Sequence, residues 1–215
     1  MSLRWLALES SPEVLTKYIH ELGVDEKWSL VDVFGVDDEL LAMVPQPVEA
    51  LLLVYPVKGT EPTTGSDNPK VFFMKQTIEN ACGTVGLLHA LGNSKATYKE
   101  NSALEKFMKS AKGKSPDEIA KLLETSEEIG EIHASVAQEG QTSTPSLEEN
   151  VDLHFVAFVL VDGHIYELDG RKDAPTQHGP SDEANFLKNA AKVCKTYMER
   201  MPDVLSFSLT ALVGQ

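Results

Sequence analysis

Hydrophobic residues recur with helical spacing in several segments of this chain. In SPEVLTKYIHELG, residues 11–23, the apolar side chains fall on one helical face, and Ser11 and Gly23 are suited to begin and end the helix. Ser115 and Glu118 form a capping-box pattern at the start of another such segment. The same spacing predicts further helices at residues 37–45, from about residue 82, and at 101–113, 115–130, 131–137 and 181–201.

Other segments are compact runs of apolar, β-branched and aromatic residues, which are typical of strands. They predict strands at residues 28–34, 48–57, 151–161, 164–170 and 207–213, and an extended segment at 71–76. Asp162 and Gly163 form a two-residue hairpin turn, which pairs residue 161 with 164, residue 160 with 165 and residue 156 with 169. We find no internal repeat and no domain boundary, so the sequence predicts one mixed α+β domain covering residues 1–215.

Length and composition place the chain among ordinary globular proteins. It has 215 residues, of which 42% are hydrophobic and 24% charged. The longest apolar run, ALLLVYPV, fits a buried strand and is far shorter than the ~20 residues that a membrane span needs. The N-terminus lacks the pattern of a secretory signal, and the two cysteines lie far apart. We therefore expect no membrane partner and a reducing compartment, the cytoplasm first and the nucleus second.

The formal net charge of −14 favours some classes of binding partner and disfavours others. Nucleic-acid binding needs stripes of Lys and Arg against the phosphates, so this charge argues against a nucleic-acid partner. A basic protein partner would be attracted by long-range electrostatic steering. Composition alone favours the simpler interpretation, an acidic surface that only keeps the protein soluble.

Several motif-like patterns lack the residues that their chemistry requires. Gly113-Lys114-Ser115 resembles the end of a phosphate-binding loop, but Met108 occupies the position of the earlier glycine. The cysteines and histidines form no closely spaced pairs of the kind found in structural zinc sites. Cys194 falls on the apolar face of a helix and is expected in the core. We expect no metal and no cofactor.

Cys82 lies in the stretch QTIENACGTVGLLHALGN, where a break of small residues precedes a helical pattern. If the helix begins at or just after Cys82, unpaired backbone N–H groups and the positive end of the helix dipole face its sulfur. Both favour the thiolate, which is the reactive form of cysteine. On this stretch alone, a merely structural cysteine at a helix start fits as well.

The predicted hairpin adds a histidine and a carboxylate. Its register places His154 and Asp169 as diagonal neighbours on one face, within side-chain reach, and His164 on the other face. A carboxylate there can hold an imidazole in one tautomer and support its charge. Cysteine, histidine and aspartate are the elements of an activated-thiol site for acyl transfer, and the Cys82 N–H and the Gln76 amide can serve as oxyanion donors.

With these residues, the sequence resembles the ubiquitin C-terminal hydrolases, specifically the short single-domain cysteine peptidases of that family. The resemblance runs from about residue 4 to the C-terminus. Ala81 and Glu79 depart from the family's usual serine and small residue. The segments that carry the resemblance are QTIENACGTVGLLHALGN, VDLHFVAFVLVDGHIYELDGRK, RWLALESSPEVLTKYIHELG and EGQTSTPSLEE.

This resemblance implies a papain-like core, a central antiparallel sheet flanked by helices, and a knotted backbone. It assigns Cys82 as the nucleophile, His154 as general base and acid, Asp169 as the residue that orients His154, and Gln76 to the oxyanion hole. It also implies that residues 138–150, which lack apolar periodicity, form a crossover loop above the cleft.

The implied function is a deubiquitinase that removes small or unfolded adducts from the C-terminal glycine of ubiquitin, or of a close ubiquitin-like modifier, through an acyl-enzyme thioester. The protein is expected to be a monomer. The alternative is a module that binds or stabilises ubiquitin with negligible turnover. The residues expected to contact ubiquitin, from their family-like positions, are Trp5, Leu6, Glu9, Glu148 and Glu149.

Overall fold

The computed structural model describes residues 3–57, 65–66, 68–139 and 152–215. In these ranges helices and strands alternate at first, then four helices and three strands follow in succession, and one helix and one strand end the chain. The helices are α1 (Pro12–Leu22), α2 (Asp38–Leu41), α3 (Cys82–Gly92), α4 (Ala103–Ala111), α5 (Pro116–Glu124), α6 (Glu127–Ala137) and α7 (Phe186–Arg200). The strands are β1 (Trp28–Asp32), β2 (Val48–Pro56), β3 (Leu153–Val161), β4 (His164–Leu168), β5 (Thr176–Pro180) and β6 (Ser208–Gly214).

The strands form one antiparallel sheet in the order β1-β6-β2-β3-β4-β5. Along β2, Leu52 packs into a core with α1 and α3 to α6, whereas Leu51 and Leu53 pack into a second core with α2 and α7. Because both faces of β2 and β3 are covered, their sequences are apolar at nearly every position. The α+β class and the antiparallel sheet flanked by helices are confirmed.

The predicted hairpin register is confirmed where β3 and β4 pair. Val161 lies opposite His164 and Ala157 opposite Leu168. Asp162 and Gly163 have φ values of 49° and 74°, the left-handed backbone that a two-residue turn of this hand requires. The helix caps predicted at Ser11 and Ser115 are also present.

Several boundaries and one strand differ from prediction. The break predicted after residue 130 lies at residues 125–126, so residues 131–137 belong to α6. The Ser126 side chain accepts a hydrogen bond from the Ile129 N–H and caps this helix. Helix α7 begins at Phe186 and not at residue 181, since Asp182 accepts hydrogen bonds from Asn185 in a preceding turn. Strand β5 was not predicted, because TQHGP contains a glycine and a proline; it lies at the sheet edge, where proline is tolerated.

Part of the predicted architecture depends on residues outside the described ranges. The knotted path and the crossover loop both require residues 140–151, so they stay predictions. Residues 138–139 are described and directly follow α6. Within the described ranges no helix is long and apolar enough to cross a membrane.

Candidate active site

Cys82 is the first residue of α3, as the sequence predicted. Asn80 adopts a left-handed φ of 63°, which turns the chain sharply just before the helix. Ala81 occupies the N-cap position and offers no side-chain cap, so the positive helix end faces the sulfur without a competing side-chain acceptor at the cap. The sulfur is half-buried and lies 4.0 Å from the Leu153 carbonyl oxygen at the start of β3.

His154 and Asp169 meet as the hairpin predicts. His154 Nε2 lies 2.6 Å from Asp169 Oδ1, and both side chains are buried. Because a carboxylate accepts, Nε2 carries the proton and donates it, which leaves Nδ1 for Cys82. The backbone N–H of Arg171 donates to the same Asp169 oxygen at 2.9 Å and fixes the carboxylate.

The electrostatics favour a charged imidazole. Burial lowers the pKa of His154, but hydrogen bonds and charge interactions with Asp169 and with Cys82 outweigh burial and raise this pKa to about 9. For Asp169, burial raises the pKa, and the hydrogen bond and charge of His154 outweigh it, so the pKa of the carboxyl lies below its usual value. At neutral pH the two groups therefore form an imidazolium–carboxylate pair beside the sulfur.

Gln76 is held against the segment that follows Asp169. Its backbone N–H donates to the Gly170 carbonyl at 2.7 Å, and a Cβ at residue 170 would lie 3.0 Å from the Gln76 Cβ, so this approach requires glycine. The side-chain Nε2 donates one hydrogen to Ile78 O at 3.2 Å, and the second amide hydrogen is left available. Among the described residues, the buried Oε1 has no hydrogen-bond partner.

A cavity of about 380 Å³ brings these groups together. Gln76, Cys82 and His154 all line it, and Asp169 pairs with His154 from outside the lining. A larger cavity of about 790 Å³, between the segment 68–73 and α4, contains none of the four residues. The smaller cavity is therefore the candidate site. Its other lining residues are Arg4, Glu79, Asn80, Asp152, Leu153 and Arg171.

Some of these lining residues were not identified from the sequence. Arg4 Nε and Glu79 Oε2 form an ion pair of 2.6 Å on the cavity wall. No local pattern connects two residues so far apart in sequence. Arg171, by contrast, follows Asp169 closely, and the Gly170-Arg171 pair just after β4 was a usable signal.

The proposed ubiquitin-contacting residues fall into two groups. Trp5 and Leu6 are half-buried and pack against the core that contains α3, and Glu9 is half-buried nearby in sequence. Glu148 and Glu149 lie outside the described residues. The second cysteine, Cys194, is fully buried in the α7 core, which confirms its structural role, and burial raises the pKa of its thiol.

Comparison with known proteins gives a consistent result. Residues 5–199 match the family described as Ubiquitin carboxyl-terminal hydrolase, family 1. A ubiquitin carboxyl-terminal hydrolase of Aplysia californica is 46% identical over 209 residues, covering 94% of this chain and 98% of the relative. The Homo sapiens ubiquitin carboxyl-terminal hydrolase isozyme L1 is 43% identical, with 95% and 96% covered.

A solved structure supports the same fold. The Trichinella spiralis UCH37 catalytic domain bound to ubiquitin vinyl methyl ester superimposes with a TM-score of 0.81 and covers 99% of this chain and 96% of its own. The two sequences are 23% identical, so this likeness concerns the fold alone.

Proposed function

This chain belongs to ubiquitin carboxyl-terminal hydrolase family 1, a family of thiol-dependent hydrolases, and from that premise we propose that it is a deubiquitinase acting at the C-terminal glycine of ubiquitin. The observation that carries the proposal is the buried His154–Asp169 pair, whose imidazole interacts with a cysteine at a helix N-terminus. A purely binding module has no need of this buried, charged arrangement.

The proposed reaction has two steps. The Cys82 thiolate attacks the carbonyl carbon of the terminal glycine, and the imidazolium of His154 gives its proton to the departing amine, leaving a thioester on the sulfur. Neutral His154 then takes one proton from water, which attacks the thioester and displaces the thiolate; the carboxylic acid so formed gives its remaining proton to solvent. Asp169 holds the imidazole in one orientation through both steps.

Two donors are available for the oxyanion that develops in each step. The first backbone N–H groups of a helix have no partner inside it, and that of Cys82 is at the start of α3. Gln76 lines the same cavity and has one amide hydrogen beyond the one given to Ile78. Donors held in place in this way stabilise the charge of the transition state.

The partner we propose is ubiquitin, in preference to a ubiquitin-like modifier. The net charge of −14 suits the basic C-terminal tail that the family resemblance implies, and Trp5, Leu6, Glu9, Glu148 and Glu149 remain the proposed contacts. We propose that residues 1–215 act as one monomeric catalytic domain, in the cytoplasm or nucleus, on small or unfolded adducts that can pass beneath a loop at residues 138–150.

The proposal is tested with ubiquitin that carries a fluorogenic amide on its C-terminal glycine. We expect the chain alone to release the fluorophore, whereas a short peptide amide with the same last residues is cleaved far more slowly, since it lacks the body of ubiquitin. Tight binding of ubiquitin without release of the fluorophore would overturn the proposal and favour the binding module.

The raised pKa of His154 predicts the alkaline limit of activity. The kcat/KM for the ubiquitin amide is expected to fall as pH rises through about 9, because the imidazole then loses the proton that the leaving amine needs. The same interaction contributes to folding stability fully below the ordinary pKa of about 6.5, and this contribution is lost as pH rises through about 9.

A pH–rate profile of kcat/KM checks this prediction. His164→Asn is the matched control, because His164 lies at the exposed hairpin turn and its replacement leaves the alkaline limb in place. A limb that already declines near pH 6.5 in the unmodified chain would contradict the ion pair.

A further inference from the structure

A buried chain of hydrogen bonds lies next to Cys82 but takes no part in the proposed reaction. The Tyr18 hydroxyl is 2.9 Å from Thr84 Oγ1, which is 2.8 Å from His133 Nδ1, and His133 Nε2 is 2.8 Å from the Leu6 carbonyl oxygen. Tyr18, Thr84 and His133 are 0–1% exposed. The chain thus joins α1, α3, α6 and the N-terminal segment, which we define as residues 3–8.

The donor and the acceptor of every hydrogen bond in this series follow from the bond to the Leu6 carbonyl. The Leu6 carbonyl can only accept, so His133 Nε2 carries the proton and donates. Burial lowers the pKa of His133 to about 4, so at neutral pH Nδ1 is unprotonated and accepts from the Thr84 hydroxyl. The Tyr18 hydroxyl then donates to Thr84. Each group has one role, so the chain specifies a single arrangement.

Thr84 lies in the first turn of α3, two residues after Cys82. This turn has no side-chain cap of its own, because alanine occupies the N-cap position. The start of α3 therefore depends on contacts from other elements. Thr84 supplies one through His133, and Leu8 supplies another by packing 3.0 Å from where a Cβ of Gly83 would stand.

The N-terminal segment contacts the chain on both sides of Cys82. Before the cysteine, Trp5 N–H donates to the Glu79 carbonyl at 2.9 Å and Glu79 N–H donates to the Leu3 carbonyl at 3.0 Å. After the cysteine, Leu6 reaches Thr84 through His133. The Trp5 ring also packs against the imidazole, with 4.6 Å between ring centroids and an angle of 43° between the ring planes.

We propose that His133 is a positioning residue, which couples the N-terminal segment to the first turn of α3 and so sets the position of the Cys82 sulfur relative to His154. It touches neither substrate nor reacting atoms. This role rests on the proposed hydrolase function, because Trp5 and Leu6 are also the residues proposed to meet ubiquitin. Ubiquitin seated on that segment would act on α3 through this imidazole.

Thr84→Val tests the coupling, because valine matches threonine in shape and replaces the hydroxyl by a methyl group that cannot donate to His133. We expect kcat for the ubiquitin amide to fall about tenfold, with a smaller change in KM, since small displacements of reacting groups reduce rates strongly. The rate of Cys82 alkylation by iodoacetamide is expected to fall with it. This second readout needs no ubiquitin, so it reports on the coupling even if the chain shows no hydrolase activity.

Three companion variants keep the test interpretable. Thr84→Ser retains the hydroxyl and is expected to restore both rates to within about twofold. Thr210→Val removes a buried hydroxyl from β6, outside this chain of bonds, and is expected to lower the melting temperature without changing either rate. If Thr84→Val does not fold, Tyr18→Phe replaces it, with an expected fall of about threefold in kcat.

The proposal is overturned if Thr84→Val, or Tyr18→Phe in its place, lowers the melting temperature and leaves kcat and the alkylation rate at the level of the unmodified chain. His133 would then only fill the core. Absence of turnover in the unmodified chain, together with slowed alkylation in Thr84→Val, would reject the hydrolase function and keep the coupling.

Discussion

Cys82→Ala is expected to abolish hydrolysis of the ubiquitin amide, with a loss on the order of 10⁴-fold or more in kcat, because no other group can form the thioester. The fold should be retained, since the sulfur is half-buried at the cavity and its removal leaves little void. Binding of ubiquitin should also persist, because the proposed contact residues are unchanged. Steady-state rates with the fluorogenic amide measure the loss of hydrolysis, and calorimetric titration with ubiquitin measures the retained binding.

Cys194→Ala is the matched control for this loss. Cys194 lies on α7 and is buried in the core between α7 and the sheet, on the opposite side of the sheet from α3. Its replacement is expected to lower stability by about 1 kcal/mol and to leave kcat unchanged. Turnover by Cys82→Ala at the rate of the unmodified chain would contradict the role of Cys82 as the nucleophile.

Asp169→Asn is the second prediction with a large effect. The carboxylate accepts from His154 Nε2, so the imidazole presents Nδ1 to the sulfur. An asparagine amide can donate to Nε2 instead and favour the opposite tautomer, which a serine protease triad tolerates only with a loss of about 10⁴-fold in kcat. We expect a fall of several hundredfold or more. The fold should persist with somewhat lower stability. The replacement is nearly isosteric, but an amide nitrogen that faces His154 stands where Oδ1 accepts from the Arg171 N–H, so that hydrogen bond is lost.

Asp173→Asn makes the same substitution at an exposed site and serves as its control. Asp173 pairs with Lys75 at the surface, where an ion pair contributes little, so kcat should stay within about twofold of the unmodified value. Measured kcat values for both variants, beside their thermal denaturation curves, separate a catalytic loss from an unfolding one. Equal kcat in Asp169→Asn and the unmodified chain would contradict the orienting role.

Much of the site could be predicted because its information is local. The Asp162-Gly163 turn determines the register of β3 and β4, and this register brings His154 near Asp169. The small residues around Cys82 and the helical pattern behind them placed the cysteine at a helix start. Neither inference requires the tertiary structure, because the local geometry of a hairpin and of a helix is enough.

The rest of the site depends on contacts between residues distant in sequence, which no local pattern encodes. His133 lies on α6 and its partners Thr84 and Leu6 belong to other elements, so its burial against them emerges only from packing. Strand β5 pairs with β4 even though TQHGP has low strand propensity, because an unpaired edge of β4 is available to it. Tertiary context outweighed propensity there.

The central claim is that Cys82 is the nucleophile that attacks the C-terminal carbonyl of ubiquitin. The most direct test is mass spectrometry of the intact chain, and of its peptides, after treatment with ubiquitin vinyl methyl ester. We expect a single adduct, on Cys82, that is absent in Cys82→Ala. An adduct on Cys194, or no adduct at all on a folded chain that binds ubiquitin, would contradict it.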